Sequence, residues 1–341
     1  MLRVGVVGCG YWGPKLIRNF VTYSGTELIW ACDVDKKRLD KISRIYPEVR
    51  RTTQLHDLVA DSKLDGVAVA TPVNTHFPIA KACLESGKHV VVEKPMSTSV
   101  SEGLALLKLA KQKNLQLMCD HIFCYTGAVR RIKEIVQSGS LGKLLYFDSV
   151  RVNLGLFQQD VNVIWDLAPH DLSILDFLVD EKPIMVSAHG VSHTDNLNEN
   201  IAYVSLRFQS PFIAHFHLNW LSPVKIRMTM IGGSEKMLVW NDIDAADKIK
   251  VYDKGIEVKE GDRKQRERLL VSYRSGDMHA PSIDTTEALS LVVKEFADCI
   301  AENRPAMTDG EAGIRILRIL EATDRSIKQG GANVSIDYAK E

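Results

Sequence analysis

Short apolar runs alternate with amphipathic segments along the first third of the chain. Five apolar runs predict buried strands: Leu2–Val7, Leu28–Cys32, Gly66–Ala70, His89–Val92 and Gln116–Cys119. Helical periodicity predicts helices between them: Pro14–Tyr23, Asp35–Tyr46, Leu55–Ala60, a segment from Asn74 or Thr75 to Ser86, and Val100–Lys113. This alternation predicts an α/β domain, residues 1–121, with a doubly wound parallel sheet of the Rossmann type.

The pattern changes after Lys143, where runs with a period of two residues predominate. These runs predict strands at Leu144–Asn153, Ile184–Val191, Ile201–Phe208, Phe212–Trp220, Lys225–Ile231 and Met237–Trp240. Helices are predicted at Gly127–Ser138, Ser173–Leu178, Thr285–Ala301 and Asp309–Lys328, and a loop-rich segment at Asp253–Asp284. Residues 122–341 are therefore expected to form an α+β domain with a large open, mostly antiparallel sheet, whose C-terminal helix packs back on the first domain. We expect helices to cover one face and a second subunit to cover the other, because a wide apolar face is an aggregation liability.

Bulk properties narrow the class of protein. The chain has 341 residues, which favours two domains, and its 43 basic residues balance its 43 acidic residues. That balance argues against a sequence-independent nucleic-acid binder. No apolar stretch approaches the roughly 20 residues that cross a bilayer, and a strand that starts at Leu2 leaves no room for a signal peptide. We expect a cytoplasmic protein without a membrane partner.

The six cysteines form no Cys-x-x-Cys pair, and most lie in apolar segments. They are expected to be buried, reduced thiols rather than zinc ligands.

The stretch Gly8-Cys9-Gly10-Tyr11-Trp12-Gly13 lies between a predicted strand and a predicted helix. A second strand then ends on Asp33, twenty residues beyond Gly13. This arrangement is typical of a dinucleotide-binding unit: Gly8 permits the turn, Gly10 allows the pyrophosphate to approach, and Gly13 lets helix and strand pack closely. The alternative is a glycine-rich turn in an unrelated α/β protein.

The residues after the second strand bear on the choice of cofactor. Asp33 favours NAD, because its carboxylate can accept from ribose hydroxyls and would repel the 2′-phosphate of NADP. Lys36, Lys37 and Arg38 follow closely, and one of them could hold that phosphate, or all could lie on a solvated helix face. NADP is therefore the less favoured cofactor.

Two further loops follow predicted strands of the first domain, where parallel sheets bind ligands. In Thr71-Pro72-Val73-Asn74-Thr75-His76, Asn74 or His76 could contact the nicotinamide half of the cofactor, although the same loop could simply start a helix. In Glu93-Lys94-Pro95, partial burial of Lys94 would favour its neutral form and make it a candidate acid/base. The alternative is a surface lysine at a loop start.

A predicted helix within the second domain carries another candidate pair. Asp166 and His170 are four residues apart and would share a helix face, so the carboxylate could orient the imidazole and stabilise its charged form. Because Pro169 suits only a first turn, we expect the pair at or just before the helix N-terminus. A helix cap with a hydrogen-bonded histidine is the alternative.

The glycine motif, Glu93-Lys94-Pro95 and Asp166-x-x-x-His170 occur together and in order. This combination resembles the glucose-fructose oxidoreductase / inositol dehydrogenase / MocA (Gfo/Idh/MocA) family of NAD(P)-dependent oxidoreductases. The resemblance covers nearly the whole chain, including Gly310-Glu311-Ala312-Gly313. It implies a Rossmann domain followed by an α/β domain with a large open sheet, paired face to face in homodimers or homotetramers.

The resemblance also implies residue roles. Lys94, Asp166 and His170 match the catalytic positions, with Lys94 binding the reacting hydroxyl and His170 acting as acid/base. The expected cofactor-binding residues are Gly8, Gly10, Tyr11, Trp12, Gly13, Asp33, Thr71, Pro72, Asn74, His76, Glu93 and Lys94. Many members carry a glycine pair just before the motif aspartate, where this chain has Asn162-Val163-Ile164-Trp165. The segments Arg151–Gly155 and Trp165–Asp171 look most like members tied to nucleotide-sugar and polysaccharide synthesis.

The sequence thus predicts an enzyme that transfers a hydride between a sugar or nucleotide-sugar hydroxyl carbon and nicotinamide, with Lys94 and His170 handling the proton. Two alternatives stay open: an enzyme that recycles tightly bound NAD during isomerisation, elimination or glycoside cleavage, and a non-catalytic NAD-sensing scaffold. No metal is expected, because His76, His121 and His170 are widely separated in sequence. Arg130, Arg131 and Arg151 could hold a substrate anion or could be solvated surface residues.

Overall fold

The computed structural model describes residues 1–155, 161–193, 198–253, 255–258 and 271–338. The chain divides into two compact units. The first contains Met1–Thr126, Thr286–Glu321 and Asp337–Glu341, and the second contains Gly127–Thr285 and Ala322–Ile336. Each unit is therefore built from separate segments of chain, a division that differs from a single boundary near His121.

The first segment alternates strands and helices, as predicted. Its elements are β1 (Leu2–Val7), α1 (Gly13–Thr22), β2 (Thr26–Cys32), α2 (Lys36–Ile45), β3 (Arg50–Thr52), α3 (Leu55–Val59), β4 (Gly66–Val69), α4 (His76–Glu85), β5 (His89–Glu93), α5 (Val100–Gln112) and β6 (Leu117–Asp120). Short 3₁₀ turns lie at Val73–Thr75 and Ile122–Tyr125. The six strands form one parallel sheet in the order β3-β2-β1-β4-β5-β6. This topology confirms the predicted Rossmann-type sheet.

The second unit contains the long strands and two helices. Its elements are α6 (Gly127–Gln137), β7 (Leu144–Leu154), α7 (Val163–Leu178), β8 (Met185–Val191), β9 (Ile201–Arg207), β10 (Ile213–Asn219), β11 (Leu221–Gly233), β12 (Met237–Asn241), β13 (Ile249–Tyr252), β14 (Gly255–Val258), β15 (Val271–Arg274) and β16 (Met278–His279). The segment predicted as loop-rich therefore contains three of these strands, while residues 254 and 259–270 lie outside the described part of the chain.

The chain ends with α8 (Ala288–Ala301), α9 (Gly310–Lys328) and β17 (Val334–Ser335). The large sheet has nine strands in the order β16-β13-β12-β11-β7-β10-β9-β8-β17. Its described pairs are antiparallel except for β7 and β10, which are parallel. A large, mostly antiparallel sheet is therefore confirmed, and β14 and β15 form a separate two-stranded sheet.

Helix α8 completes the core of the first unit. The ring of Phe296 packs edge-on against Phe20 of α1, with 6.5 Å between ring centroids. The same ring lies against Gly66, where an added Cβ would be 3.0 Å from it. The glycine at the start of β4 therefore makes room for a helix that follows it by more than two hundred residues.

The two faces of the nine-stranded sheet differ in burial. On β9, Ala202, Val204 and Leu206 are buried, whereas Tyr203 between them is exposed. Tyr203 stacks on His217 of the neighbouring strand with 4.5 Å between ring centroids. Burial along β9 therefore alternates as the period-two character of this run implies.

One buried ion pair joins α7 to the sheet. The guanidinium of Arg151, on β7, donates to both carboxylate oxygens of Asp171, on α7, over 2.8 and 2.7 Å. Both side chains are almost fully enclosed, with 3% and 2% exposure. A buried charge is tolerated only when it is paired, so this contact fixes how the helix lies on the sheet.

We expect Asp171→Ala to destabilise the protein by about 3–5 kcal/mol, because it leaves the Arg151 guanidinium buried without its partner. As a control, Glu134→Ala removes the surface partner of Arg131 and should cost no more than about 1 kcal/mol. Urea unfolding followed by circular dichroism measures both. Equal losses in the two variants would contradict the role given to the buried pair.

Candidate active site

The glycine turn that follows β1 is fixed by close backbone contacts. Gly8 has φ of +96°, and a Cβ there would lie 2.3 Å from the carbonyl oxygen of Ala70. A Cβ on Gly13 would lie 1.9 Å from the carbonyl oxygen of Gly8. At Gly10, in contrast, a Cβ would meet only the Arg38 guanidinium, at 3.6 Å. The turn thus needs glycine at Gly8 and Gly13 for its own folding, while Gly10 leaves space in front of the backbone.

Helix α1 begins immediately after this turn. Among the described residues no side chain caps its N-terminus, and its first turn carries no acidic residue. Free N–H groups and the helix dipole favour an anion at such a position. Together with the space at Gly10, these features fit the pyrophosphate of a dinucleotide.

The aromatic residues of the turn are covered by a lysine. Lys15 Nζ lies 4.0 Å from the ring centroid of Tyr11 and 4.3 Å from that of Trp12. Tyr11 is exposed and Trp12 is half-buried. Their roles in cofactor binding remain predictions.

Asp33 has a structural role that the sequence did not reveal. It is 5% exposed, and its carboxylate accepts from the backbone N–H of Cys9 over 2.6 Å and of Asp35 over 2.8 Å. It therefore ties the glycine turn to the end of β2. A carboxylate offers about four acceptor positions, so bonding to a ribose hydroxyl stays a prediction that these contacts permit.

Of the three basic residues considered as phosphate ligands, Arg38 has contacts at this turn. Its Nη1 lies 3.5 Å from Asp33 Oδ2, and its Nε lies 3.7 Å from Asp35 Oδ2. Half of its side chain is exposed. Arg38 therefore faces two carboxylates at the mouth of the glycine turn.

The loop after β4 is held by His76. This residue is 1% exposed, and its two ring nitrogens lie 2.8 Å from the carbonyl oxygens of Pro95 and Thr71. A neutral imidazole can donate to only one carbonyl, whereas an imidazolium donates to both.

Helix α4 begins at His76, and neither Asn74 nor Thr75 caps it through a side chain among the described contacts. Nicotinamide contact by Pro72 or Asn74, both exposed, remains a prediction.

Lys94 follows the last residue of β5, at the same edge of the sheet as the glycine turn. Its charge acts on two buried carboxyl groups, because it opposes the rise in the pKa of both Glu93 and Asp120 that burial causes. Asp120 also accepts from Trp12 Nε1 over 3.4 Å. No sequence pattern singled out Asp120, because its position beside Glu93 results from the pairing of β5 with β6.

In the second unit, Asp166 and His170 share one face of α7, as their spacing predicted. They are the only residues between Val163 and Leu175 that are not buried. Asp166 Oδ2 accepts from Trp220 Nε1 over 3.1 Å. The pair therefore occupies the accessible strip of an otherwise enclosed helix.

The predicted start of this helix was wrong. Asn162 caps α7 by accepting from the N–H groups of Ile164 and Trp165, so the helix begins at Val163 and Pro169 lies inside it. An interior proline removes one backbone hydrogen bond. The long buried face and the Arg151–Asp171 ion pair provide the compensating stability, and so the catalytic candidates lie within the helix rather than before it.

The three arginines proposed as anion ligands all face carboxylates. Arg130 lies 3.7 Å from Asp284, Arg131 2.6 Å from Glu134, and Arg151 is bound by Asp171. Intramolecular ion pairs therefore account for their charges.

No group of three or more His, Cys, Asp or Glu side chains among the described residues could hold a metal ion. None of the helices in the described part is both long and apolar enough to span a bilayer.

The fold and the matching family models together identify an NAD(P)-dependent oxidoreductase. A family model described as an oxidoreductase family with an NAD-binding Rossmann fold matches residues 2–121, and the C-terminal domain model of the same family matches residues 129–239. The chain belongs to the Gfo/Idh/MocA family, which confirms the predicted resemblance and enzyme class.

Similar proteins include several sugar dehydrogenases. The chain is 25% identical over 330 residues to UDP-N-acetylglucosamine 3-dehydrogenase of Acidithiobacillus ferrooxidans, covering 93% of this chain and 94% of the relative. It is 24% identical over 354 residues to scyllo-inositol 2-dehydrogenase (NADP(+)) of Bacillus subtilis, covering 96% and 94%. The fold also matches the WlbA dehydrogenase of Bordetella pertussis, solved with NADH and UDP-GlcNAcA, at a TM-score of 0.81 and 20% identity over 98% and 99% of the chains.

We expect Gly10→Ala and Gly8→Ala to fail in different ways. The first should keep its melting temperature, because its methyl group meets only a movable arginine, yet weaken NAD binding by about tenfold or more. The second should lower the melting temperature, because of its positive φ and the Ala70 contact. Thermal denaturation and calorimetric NAD titration measure both effects. Full NAD affinity in folded Gly10→Ala would show that the pyrophosphate binds elsewhere.

Proposed function

We propose that this enzyme transfers a hydride between a hydroxyl-bearing carbon of a sugar or nucleotide sugar and nicotinamide. The observation that carries the proposal is the position of Lys94. It stands at the carboxyl edge of the parallel sheet, the edge that also carries the glycine turn. Ligands of such sheets bind at this edge.

Bound NAD would supply the hydride acceptor, and the protein would supply placement and proton transfer. In the proposed roles, the Lys94 amine holds the substrate hydroxyl and exchanges its proton. His170 acts as the second acid/base, and Asp166 on the same accessible strip of α7 supports its charged form. The sequence motifs and the accessibility of Asp166 and His170 support these roles.

The substrate class is inferred from the relatives. Those that match nearly the full length of this chain are named for UDP-N-acetylglucosamine and inositol, both polyhydroxylated rings. A nucleotide sugar is the form we favour, because it agrees with the segments Arg151–Gly155 and Trp165–Asp171. Residues 156–160 between them lie outside the described part of the chain.

NAD is the cofactor we favour over NADP. The buried Asp33 carboxylate lies beside the turn, and the nearby Arg38 is already paired with Asp33 and Asp35. A 2′-phosphate would have to displace those carboxylates from the guanidinium while approaching their negative charge.

We further propose that a second copy of the chain covers the outer face of the nine-stranded sheet. This face exposes Tyr203 and Ile213, large apolar side chains on the adjacent strands β9 and β10. A monomer in sedimentation velocity would contradict this proposal.

The cysteines agree with the proposed location in a reducing cytoplasm. All six are buried free thiols, and burial raises the pKa of Cys9 to about 12, which keeps its thiol protonated.

Lys94→Ala should lower turnover by about 10² to 10⁴ while leaving NAD affinity nearly unchanged, because the lost amine handles the proton. The substrate can be found by thermal shift, as the nucleotide sugar that most raises the melting temperature with NAD⁺ present. Lys113→Ala, which removes a lysine bound to a surface carbonyl, is the matched control and should retain full turnover. A fully active Lys94→Ala enzyme would refute the proposed mechanism.

NADP should bind at least about tenfold more weakly than NAD, because it brings its phosphate to the Asp33 carboxylate. Arg38→Ala should preserve this preference. Calorimetric titration of both cofactors against both proteins tests the expectation. Tighter binding of NADP by the native chain, lost in Arg38→Ala, would instead identify Arg38 as a phosphate ligand.

A further inference from the structure

Two carboxyl groups end neighbouring strands beside Lys94. Glu93 is the last residue of β5 and Asp120 is the last residue of β6. The two residues are register partners in the parallel sheet. Register partners on adjacent strands project their side chains to the same face, so the carboxyl groups are neighbours at this edge.

Each of these carboxyl groups has one oxygen without an ordinary donor, although the Glu93 carboxyl also accepts a hydrogen bond from the backbone N–H of Lys94. Asp120 is 2% exposed, and one of its oxygens accepts from Trp12 Nε1. Its other oxygen, Oδ1, and Glu93 Oε1 are buried and accept from no N–H or O–H group among the described residues. The two side chains are instead within hydrogen-bonding reach of each other. A hydrogen bond between two carboxyl groups requires a proton on one of them.

The electrostatics agree with a shared proton. Burial raises the pKa of Glu93 well above its usual value, the Asp120 charge raises it further, and Lys94 opposes the rise. Burial also raises the pKa of Asp120, against the effects of the Glu93 hydrogen bond and of Lys94. Like charges in one enclosed site cannot both ionise without cost, so the two groups titrate as a pair.

The other ionisable groups around the pair are few. Burial, followed by the charges of Asp120 and Glu93, raises the pKa of the Cys119 thiol well above its usual range. Burial also raises the pKa of the Tyr125 phenol, with smaller contributions from Glu295, Cys124 and Asp120. His121 follows Asp120 and is buried, and Lys15 lies over the Trp12 ring. Lys94 is thus the cation whose charge acts on both carboxyl groups, and Cys119 and Tyr125 stay neutral.

The strand order places this pair on one side of the proposed cofactor path. The glycine turn follows β1, and Asp33, the proposed ribose acceptor, follows β2. In the order β3-β2-β1-β4-β5-β6, a dinucleotide with its adenosine over β2 extends its nicotinamide half toward β4 and β5. The nicotinamide ring carries a positive charge in NAD⁺ and none in NADH. The charge on that side of the cofactor therefore differs by one unit between its two redox forms.

We propose that Glu93 and Asp120 form a proton-sharing pair that takes up a proton when bound NAD⁺ becomes NADH. The pair thereby sets which redox form the enzyme holds more tightly at a given pH. This inference rests on the proposed NAD-dependent function. In the balanced reaction the alcohol loses a hydride to nicotinamide and a proton to the protein, and the carbonyl product forms. The one proton that the alcohol releases equals the one proton that the pair takes up.

The test measures binding of each redox form by the full-length enzyme without substrate. NADH titrations followed by fluorescence and NAD⁺ titrations followed by calorimetry give the ratio Kd(NAD⁺)/Kd(NADH) between about pH 6 and pH 9. Because the protonated pair favours NADH, this ratio should fall as pH rises, by up to about tenfold per pH unit where the pair titrates. Asp120→Asn and Glu93→Gln should each flatten the dependence.

Asp65→Asn is the matched control, since Asp65 directly precedes β4 and its carboxylate is bound by Arg3, and this variant should keep the native slope. Calorimetry of the native protein in two buffers of different ionisation heat counts protons directly, whether or not the variants fold. More protons should be taken up with NADH than with NAD⁺. Equal proton counts, or the native slope in both pair variants, would overturn the proposal. Failure to bind either cofactor would overturn the proposed function itself, and this inference with it.

Discussion

The first unit depends on backbone segments that pass closer together than any side chain would allow. At Gly13 an added Cβ would be 1.9 Å from the Gly8 carbonyl, and at Gly8 it would be 2.3 Å from the Ala70 carbonyl. The Asp33 carboxylate then closes the turn by accepting the Cys9 N–H. Strand β1, helix α1, the end of β2 and the loop after β4 are thereby fixed to one another. The free helix N-terminus and the space at Gly10 follow from this geometry.

Elements with a strong local signal were predictable from the sequence. The strand Leu2–Val7 was placed correctly because an apolar run is bounded by the glycine motif, and helix α5 was placed within one residue at its end. The start of α7 was missed because Pro169 gave a strong local signal that tertiary contacts override. Strand β3 was missed because it has only three residues, of which Arg50 and Arg51 are exposed, so it contains no apolar run.

The site was predictable only in part, for a physical reason. Gly10 and Lys94 could be selected because their chemistry is expressed in a local motif. The importance of Asp120 depends on its register with Glu93, and that of His76 on two carbonyl oxygens from separate loops. Such contacts arise from pairing of distant segments, and no spacing along one stretch of chain encodes them. The same holds for Arg151, whose partner lies on the following helix.

The interleaving of segments bears on how the protein is made. The first unit is not finished when its six strands have been synthesised, because Phe296 of α8 still has to pack against Phe20 and Gly66. More than 160 residues must be synthesised after β6 before that helix can pack. Until then the nascent Rossmann sheet presents an uncovered apolar surface, a state in which chaperones bind and in which a truncated product would be degraded.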